Sequence, residues 1–130
     1  MKNNKYYRVY AEINLDAIVK NVDNLMALTK ENTGALAVVK ADGGHGDVAV
    51  AKAVAQKVTG YAVATLDEAV NLRENGVKKP ILVLGYVDPY EFDILVSHEI
   101  TATVFDVETA QLLADAARVQ KKQAHCHIKV

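Results

Sequence analysis

Lys40 ends an apolar run, residues 35–39, and a glycine-rich loop follows it at residues 43–46. A charged amine at the mouth of a buried strand is costly unless the protein uses it. Burial favours the neutral amine, which can attack an aldehyde to form a Schiff base, as a lysine does with pyridoxal phosphate (PLP). The alternative is a lysine that extends from the strand end into solvent, and position alone favours that alternative.

A second group of reactive side chains lies near the end of the chain. His125, His127 and Lys129 alternate with Cys126, so the two histidines share one face of a predicted strand. They could form a His-x-His metal pair, but no third ligand is evident and we predict no metal site. The apolar pattern around Cys126 predicts an inert core thiol rather than a nucleophile. In the glycine-rich loop, we expect His45 to pack or support other groups rather than act as a base.

The composition, 51% hydrophobic and 24% charged residues, is that of an ordinary soluble globular protein. The net charge is −1 and no basic block stands out, which argues against nucleic acid or an anionic membrane surface as a partner. Residues 1–7 lack the apolar core of a signal peptide or a membrane span. The chain has one cysteine, so no intrachain disulfide can form, and we expect a cytoplasmic protein.

Strand and helix patterns alternate along the chain, which predicts a parallel sheet with crossover helices. Apolar or alternating runs predict strands at 8–13, 35–40, 61–64, 81–84, 101–105 and 124–130. Helical spacing predicts helices at 15–30, from 47 until Gly60 ends it, from 65 through 72, after 88–91, and at 107–119. The predicted N-caps are Asn14, Asp47, Thr65, Asp88 and Asp106, with Glu68 completing a capping box. Leu25, Leu112 and Val119 are assigned to buried helix faces.

After the opening strand and helix, the predicted elements form four βα units and a fifth strand. This order predicts an α/β fold, a partial (β/α)8 TIM-type barrel with a parallel sheet and outer helices. A complete barrel takes about 250 residues, so we expect residues 1–130 to form its N-terminal half. The first and fifth strands would then be unpaired at their outer edges, and we expect self-association or marginal stability.

Three stretches of the chain closely resemble the alanine racemase family. They are VVKADGGHG at residues 38–46, AEINLDAI at residues 11–18 with Asn21, and the run from YAVAT at 61–65 to ILVLG at 81–85. The second half of that run includes Glu68-Ala69, Leu72-Arg73 and Gly76. The resemblance extends from about Tyr10 to Val130. Each motif is moderately specific, and their order and spacing together are strongly so.

The resemblance implies PLP as the cofactor and Lys40 as both the lysine that binds it and one of two catalytic bases. The implied reaction is interconversion of L- and D-alanine, which supplies D-alanine for bacterial peptidoglycan. In the family the opposite base is a tyrosine from the second half of the chain and from the partner subunit of a homodimer, and no residue here matches it. The resemblance also implies that a C-terminal half-barrel and a β-domain are absent from residues 1–130.

Lys129 matches a family lysine that is carbamylated and steadies an arginine bound to the substrate carboxylate. That arginine would lie a few residues beyond Val130. An inward-facing strand lysine that reaches solvent is an equally good interpretation of Lys129, so this role is left open.

The chain departs from the family pattern inside the glycine-rich loop. Family members usually read Lys-Ala-Asp/Asn-x-Tyr-Gly-His-Gly, whereas here Gly43 is followed directly by Gly44. The missing tyrosine is a phosphate ligand of the cofactor in the family. Its absence removes one hydrogen bond to a charged group, which is about 1.5–3 kcal/mol of binding free energy.

Several functions stay open at the level of sequence. The substrate could be serine or another small amino acid, because its side-chain pocket is not readable from this half. A non-catalytic PLP-binding or carrier protein would keep Lys40 without needing a second base. An incomplete gene with no function of its own is the third alternative. Because the second base is missing, we expect residues 1–130 alone to have no appreciable racemase activity.

Overall fold

Five parallel strands form one sheet, and helices connect each strand to the next. The structure is a computed structural model and describes residue 9 and residues 12–41 and 47–130. The strands are β1 (Leu36–Val38), β2 (Gly60–Val63), β3 (Ile81–Val83), β4 (Thr101–Val104) and β5 (His125–Ile128). The helices are α1 (Leu15–Met26), α2 (Asp47–Ala53), α3 (Leu66–Glu74), α4 (Phe92–Ser97) and α5 (Val107–Val119), with a 3₁₀ helix at Pro89–Glu91 before α4.

The strands follow one another in space as they do in sequence, in the order β1-β2-β3-β4-β5, and every pair is parallel. A doubly wound sheet would reverse its strand order at a switch point, whereas a (β/α)8 barrel keeps consecutive order. The observed sheet therefore has the topology of a barrel segment. The predicted fold class, a parallel α/β sheet with outer helices, is confirmed.

The hydrophobic core lies between one face of this sheet and the helices. Tyr61, Val63, Ile81 and Val83 point into it from β2 and β3 and are at most 1% exposed. Helix residues complete the core, among them Val54, Ala69, Leu72, Phe92, Leu95 and Leu113. Alternation along each strand directs the intervening residues to the other face, the inner face of a barrel.

Side-chain caps fix where the helices begin, as the sequence predicts. Asn14 Oδ1 accepts a hydrogen bond from the Ala17 amide at 2.9 Å, and Asp106 Oδ1 accepts from the Thr109 amide at 2.7 Å. Thr65 and Glu68 form the predicted capping box of α3. The hydrogen bonds from Thr109 hold the pKa of Asp106 below its ordinary value, so this cap is a carboxylate at neutral pH.

Several element boundaries and buried faces differ from prediction. Helix α2 ends at Ala53 rather than Gly60, which is instead the first residue of β2. Leu25, Leu112 and Val119, assigned to buried helix faces, are 65%, 43% and 80% exposed. Helices α1 and α5 are the outermost of the described helices, so no described helix covers one flank of each.

The described residues test only some of the remaining predictions on the fold. Half of the opening strand predicted at 8–13 lies outside the described residues, and the described ones, 9, 12 and 13, are not in a strand. The Asp47 side chain is also outside the described residues. Asp88 caps the 3₁₀ helix rather than α4 itself. Within the described residues, none of the helices combines the length and apolar character that a membrane crossing requires.

Candidate functional site

The carboxyl ends of the five strands meet at one edge of the sheet because all the strands are parallel. Ligands and catalytic groups of barrel and open α/β folds gather at that edge. Lys40 follows β1, Thr65 follows β2, Gly85 follows β3, Phe105 follows β4 and Lys129 follows β5. The structure therefore brings both lysines singled out from the sequence to the same end of the molecule.

Lys40 is exposed, and its amine has no hydrogen bond or ion pair to any described residue. This exposure agrees with the alternative that position alone favours, a lysine that extends from the strand end into solvent, and not with a buried amine. The residue before it, Val39, is 2% exposed, and its amide donates to the Ala62 carbonyl at 2.9 Å. The last buried residue of this segment is thus Val39, and Lys40 is the first residue beyond the core.

Ala41 takes the left-handed backbone conformation, with φ of 54°. For a residue with a Cβ this conformation costs about 1–2 kcal/mol. The Ala41 amide donates to Glu68 Oε1 at 2.6 Å, a charge-assisted hydrogen bond that offsets part of this cost. The turn that carries Lys40 is therefore held by a side chain from another element.

The other carboxylate oxygen of Glu68 binds the end of β2. Oε2 accepts from the Ala64 amide at 2.7 Å and from the Thr65 amide at 3.2 Å. A Cβ at Gly85 would overlap the Ala64 carbonyl oxygen, so only glycine fits where β3 passes this point. Glu68 thus joins the ends of β1 and β2 to the start of α3, beside a tight approach from β3.

The sequence predicts Glu68 only as part of the helix cap of α3. A Thr-x-x-Glu pattern predicts the local capping box, because both partners lie within four residues. The bond to Ala41 spans 27 residues and depends on the placement of β1 beside β2. A glutamate at a capping-box position right after a barrel strand is the signal that could have pointed to it.

Lys129 continues the inner-face alternation of β5. Its amide donates to the Val104 carbonyl at 2.9 Å, and its Nζ lies 5.6 Å from the centroid of the Phe105 ring. An ammonium over an aromatic ring is attracted to the electron-rich face. Lys129 lies on one edge strand and Lys40 beyond the other, which is four strand spacings or about 19 Å along the sheet. The two lysines therefore lie at the same edge of the sheet but do not contact each other.

The histidines of β5 lie opposite threonines of β4, with His125 beside Thr101 and His127 beside Thr103. Both histidines are exposed. Among the described residues, no group of three or more His, Cys, Asp or Glu side chains could hold a metal ion. Cys126 is exposed, so the prediction of a core thiol is wrong. The reason is that β5 pairs only with β4 and no described element packs over it.

The glycine-rich loop lies within residues 42–46, which are outside the described residues. The predictions for His45 and for the missing tyrosine therefore also lie outside the described residues.

A cleft of about 650 Å³ lies at the other end of the strands, the edge formed by their amino ends, among residues such as Arg73, Pro80 and Gln123. Its Arg73 guanidinium donates four hydrogen bonds to backbone carbonyls, including His98 at 2.9 Å and Val77 at 2.7 Å. The arginine of this cleft therefore has a structural role, and the cleft is not the candidate site.

Known proteins similar to this chain are amino-acid racemases. The alanine racemase N-terminal domain family matches residues 13–130. Alanine racemase 1 of Bacillus subtilis is 44% identical over 134 aligned residues, covering the whole chain and 34% of that protein. The structure of alanine racemase from Clostridium difficile 630 with cycloserine superposes with a TM-score of 0.89 at 38% identity, covering 95% of this chain and 34% of that one.

A histidine racemase from Leuconostoc mesenteroides also superposes, with a TM-score of 0.74 and 26% identity over 86% of this chain and 30% of that chain. Residues 1–130 thus span about a third of the length of each of these relatives. The family match nevertheless covers nearly the whole chain, including Lys40, Glu68 and Lys129. This chain belongs to the alanine racemase family, within the family's N-terminal domain.

Proposed function

We propose that residues 1–130 form the lysine-bearing N-terminal half-barrel of a PLP-dependent alanine racemase, which interconverts L- and D-alanine. The observation that carries the proposal is Lys40, a primary amine without a described partner, located just beyond β1 at the carboxyl edge of the sheet. The donor set fits the cofactor, since an aldehyde needs an accessible amine on a well-held backbone. Family membership across residues 13–130 supports the same assignment.

Lys40 would hold the cofactor through its amine nitrogen, with loss of one water molecule. When bound, PLP makes the substrate Cα–H acidic by accepting the electron pair left at that carbon. The Lys40 amine, released when the substrate's amine takes its place, would exchange a proton with Cα on its own side of the substrate. Lys129, at the opposite edge strand, would support the substrate carboxylate subsite, as its match to the family's carbamylated lysine implies.

Racemisation also needs a base on the opposite face of Cα, because one base can only remove and return a proton on one side. Tyr61 does not fill this role: its hydroxyl is buried and donates to the Ala51 carbonyl at 2.7 Å, and burial raises its pKa. Tyr86 and Tyr90 are exposed and are assigned no role. The proposal therefore places the second base outside residues 1–130 and includes a homodimer, as in the family.

Borohydride labelling tests the role of Lys40 directly. The chain is mixed with PLP, reduced, digested and mapped by mass spectrometry, and we expect a pyridoxyl group on the peptide that contains Lys40. Lys40→Arg should abolish that label, whereas Lys52→Arg, at an exposed lysine of α2, should leave it unchanged. A label spread evenly over surface lysines, or one that persists at the same yield in Lys40→Arg, would contradict the proposal.

The substrate is proposed as alanine, and the likeness to a histidine racemase makes a different amino acid the second candidate. Exchange of the Cα hydrogen in deuterated water, followed by NMR for alanine, serine and histidine, separates these candidates. We expect no racemisation at enzymatic rates from residues 1–130 alone, because the second base is outside them. A label on Lys40 without any Cα exchange in a complete dimer would instead favour a non-catalytic PLP-binding protein.

The proposal also assigns the protein to the cytoplasm and to the supply of D-alanine for peptidoglycan. A single cysteine, which leaves no intrachain disulfide, is consistent with a reducing compartment.

A further inference from the structure

We propose that Glu68 is a positioning residue for Lys40, acting through the backbone of the turn that carries the lysine. This inference rests on the proposed function and extends it to a residue that touches neither cofactor nor substrate. It assigns Glu68 a role beyond capping its own helix.

Glu68 uses both carboxylate oxygens on backbone amides of two different strand ends. Oε1 accepts from Ala41 at 2.6 Å, and Oε2 accepts from Ala64 at 2.7 Å and Thr65 at 3.2 Å. A carboxylate can accept up to about four hydrogen bonds, so it can serve all three donors at once. A helix cap alone would need only the contact with Thr65.

Lys40 lies between two fixed backbone points. On one side the Val39 amide donates to the Ala62 carbonyl at 2.9 Å, and on the other the Ala41 amide donates to Glu68. Ala41 adopts a left-handed conformation that an alanine rarely takes by itself, so this turn needs an external partner to persist. Without Glu68, the backbone after Val39 would lose one of the two anchors that the described residues provide.

The carboxylate is itself rigidly supported. Its neighbours on α3, Leu66, Ala69 and Leu72, are 5%, 0% and 0% exposed, so they anchor the helix in the core. The Glu68 amide also donates to Thr65 Oγ1 at 3.4 Å, which closes the capping box. Because α3 is anchored in the core, Glu68 can hold the backbone of residues 39–41 in place.

Two substitutions separate the positioning role from the capping role. Glu68→Gln keeps one oxygen acceptor but replaces the other with an amide donor, so one strand end loses its partner. Thr65→Ala removes the cap hydroxyl and leaves the bond to Ala41 in place. Asp67→Asn removes a charge from the same helical turn and controls for simple electrostatics.

Two readouts follow each variant. The first is hydrogen exchange at the Ala41 amide, resolved by fragmentation mass spectrometry. The second is the yield of pyridoxyl label on Lys40 at limiting PLP, alongside its acetylation by limiting acetic anhydride, which needs no cofactor. In Glu68→Gln we expect the rate of hydrogen exchange at the Ala41 amide to rise by about tenfold or more. We also expect the yields of pyridoxyl label and of acetylation at Lys40 to change several-fold. Thr65→Ala and Asp67→Asn should change each of these by less than about twofold, even where Thr65→Ala lowers thermal stability.

Each contrary result has a distinct meaning. If Thr65→Ala reproduces the effects of Glu68→Gln, Glu68 acts only as a cap and the inference is overturned. The same holds if Ala41 exchanges freely in the unsubstituted chain, a measurement that stands even where Glu68→Gln does not fold. If Lys40 takes no pyridoxyl label in the unsubstituted chain, the proposed function fails, while Ala41 exchange and Lys40 acetylation still decide whether Glu68 holds the turn.

Discussion

At the scale of single residues, the candidate site contains an exposed amine, Lys40, and a carboxylate, Glu68, that form no ion pair with each other. Lys40 has no partner among the described residues, whereas Glu68 accepts hydrogen bonds from three backbone amides. A carboxylate engaged in this way is poorly placed to form an ion pair with the lysine. The arrangement therefore fixes the lysine backbone and leaves its amine available for chemistry.

The missing loop tyrosine yields a gain-of-function prediction. Inserting a tyrosine between Gly43 and Gly44 should tighten PLP binding by about tenfold or more, because a hydrogen bond to the charged phosphate contributes about 1.5–3 kcal/mol. Fluorescence titration with PLP measures the dissociation constant. Insertion of phenylalanine at the same point is the matched control, since it restores loop length without the hydroxyl. Equal affinities for the two insertions would show that loop length, not the phosphate contact, matters.

At the scale of elements, α3 organises both ends of the sheet. Glu68 in its first turn binds the carboxyl ends of β1 and β2, and Arg73 in its last turn binds the segment before β4. The Arg73 guanidinium donates to the carbonyls of His98 at 2.9 Å and Glu99 at 2.9 Å. It also donates to Val77 at 2.7 Å and Lys79 at 3.1 Å in the turn that follows α3.

Substitution of Arg73 tests this organisation. Arg73→Ala leaves four carbonyl contacts unmade, and we expect the free energy of unfolding in urea to fall by about 2–4 kcal/mol. Burial lowers the pKa of the guanidinium and the Glu99 carboxylate opposes that shift, yet arginine stays charged at any working pH. The loss should therefore be the same at pH 6 and pH 8.

A matched arginine provides the control for this measurement. The Arg118 side chain is 73% exposed, and its one ion pair within the described part of the chain is with Asp115, one turn away. Arg118→Ala should change stability by less than about 0.5 kcal/mol. If both substitutions cost the same, the hydrogen bonds of Arg73 do not hold the turns together.

At the scale of the whole molecule, the two outer strands of the sheet carry exposed apolar side chains. Leu36 and Val38 on β1 are 46% and 57% exposed, and Ile128 on β5 is 78% exposed. Among the residues that the structure describes, each of these strands pairs on one side only. Strand edges with free backbone groups and apolar side chains favour pairing with another chain.

We therefore expect the 130-residue chain to self-associate when studied by itself. Light scattering coupled to size-exclusion chromatography should give a mass above that of a monomer. The double substitution Val38→Lys and Ile128→Lys should shift the chain toward monomer, because charged side chains on edge strands oppose pairing. Leu28→Lys, at a residue 86% exposed and away from the strands, should have no effect. A compact monomer of the unsubstituted chain would refute this expectation.

Helix starts and the order of elements were predictable from sequence because their causes are local. The caps at Asn14, Thr65 and Asp106 act on amides three residues away, and the helix at 107–119 has the predicted bounds. Burial was less predictable at the outer helices. Leu112 has the spacing of a core residue, but its burial depends on a neighbour beyond α5, and no described helix lies there.

Sequence alone determined the parallel α/β order, the capping residues and the family, and it singled out Lys40 as the candidate amine. These properties depend on residue type and on spacings of a few residues. Tertiary structure alone decided that Lys40 is exposed, that Cys126 lies outside the core, and that Glu68 holds the turn at Ala41. The physical reason is that exposure and a hydrogen bond across 27 residues depend on which strands lie side by side, and no local pattern specifies that.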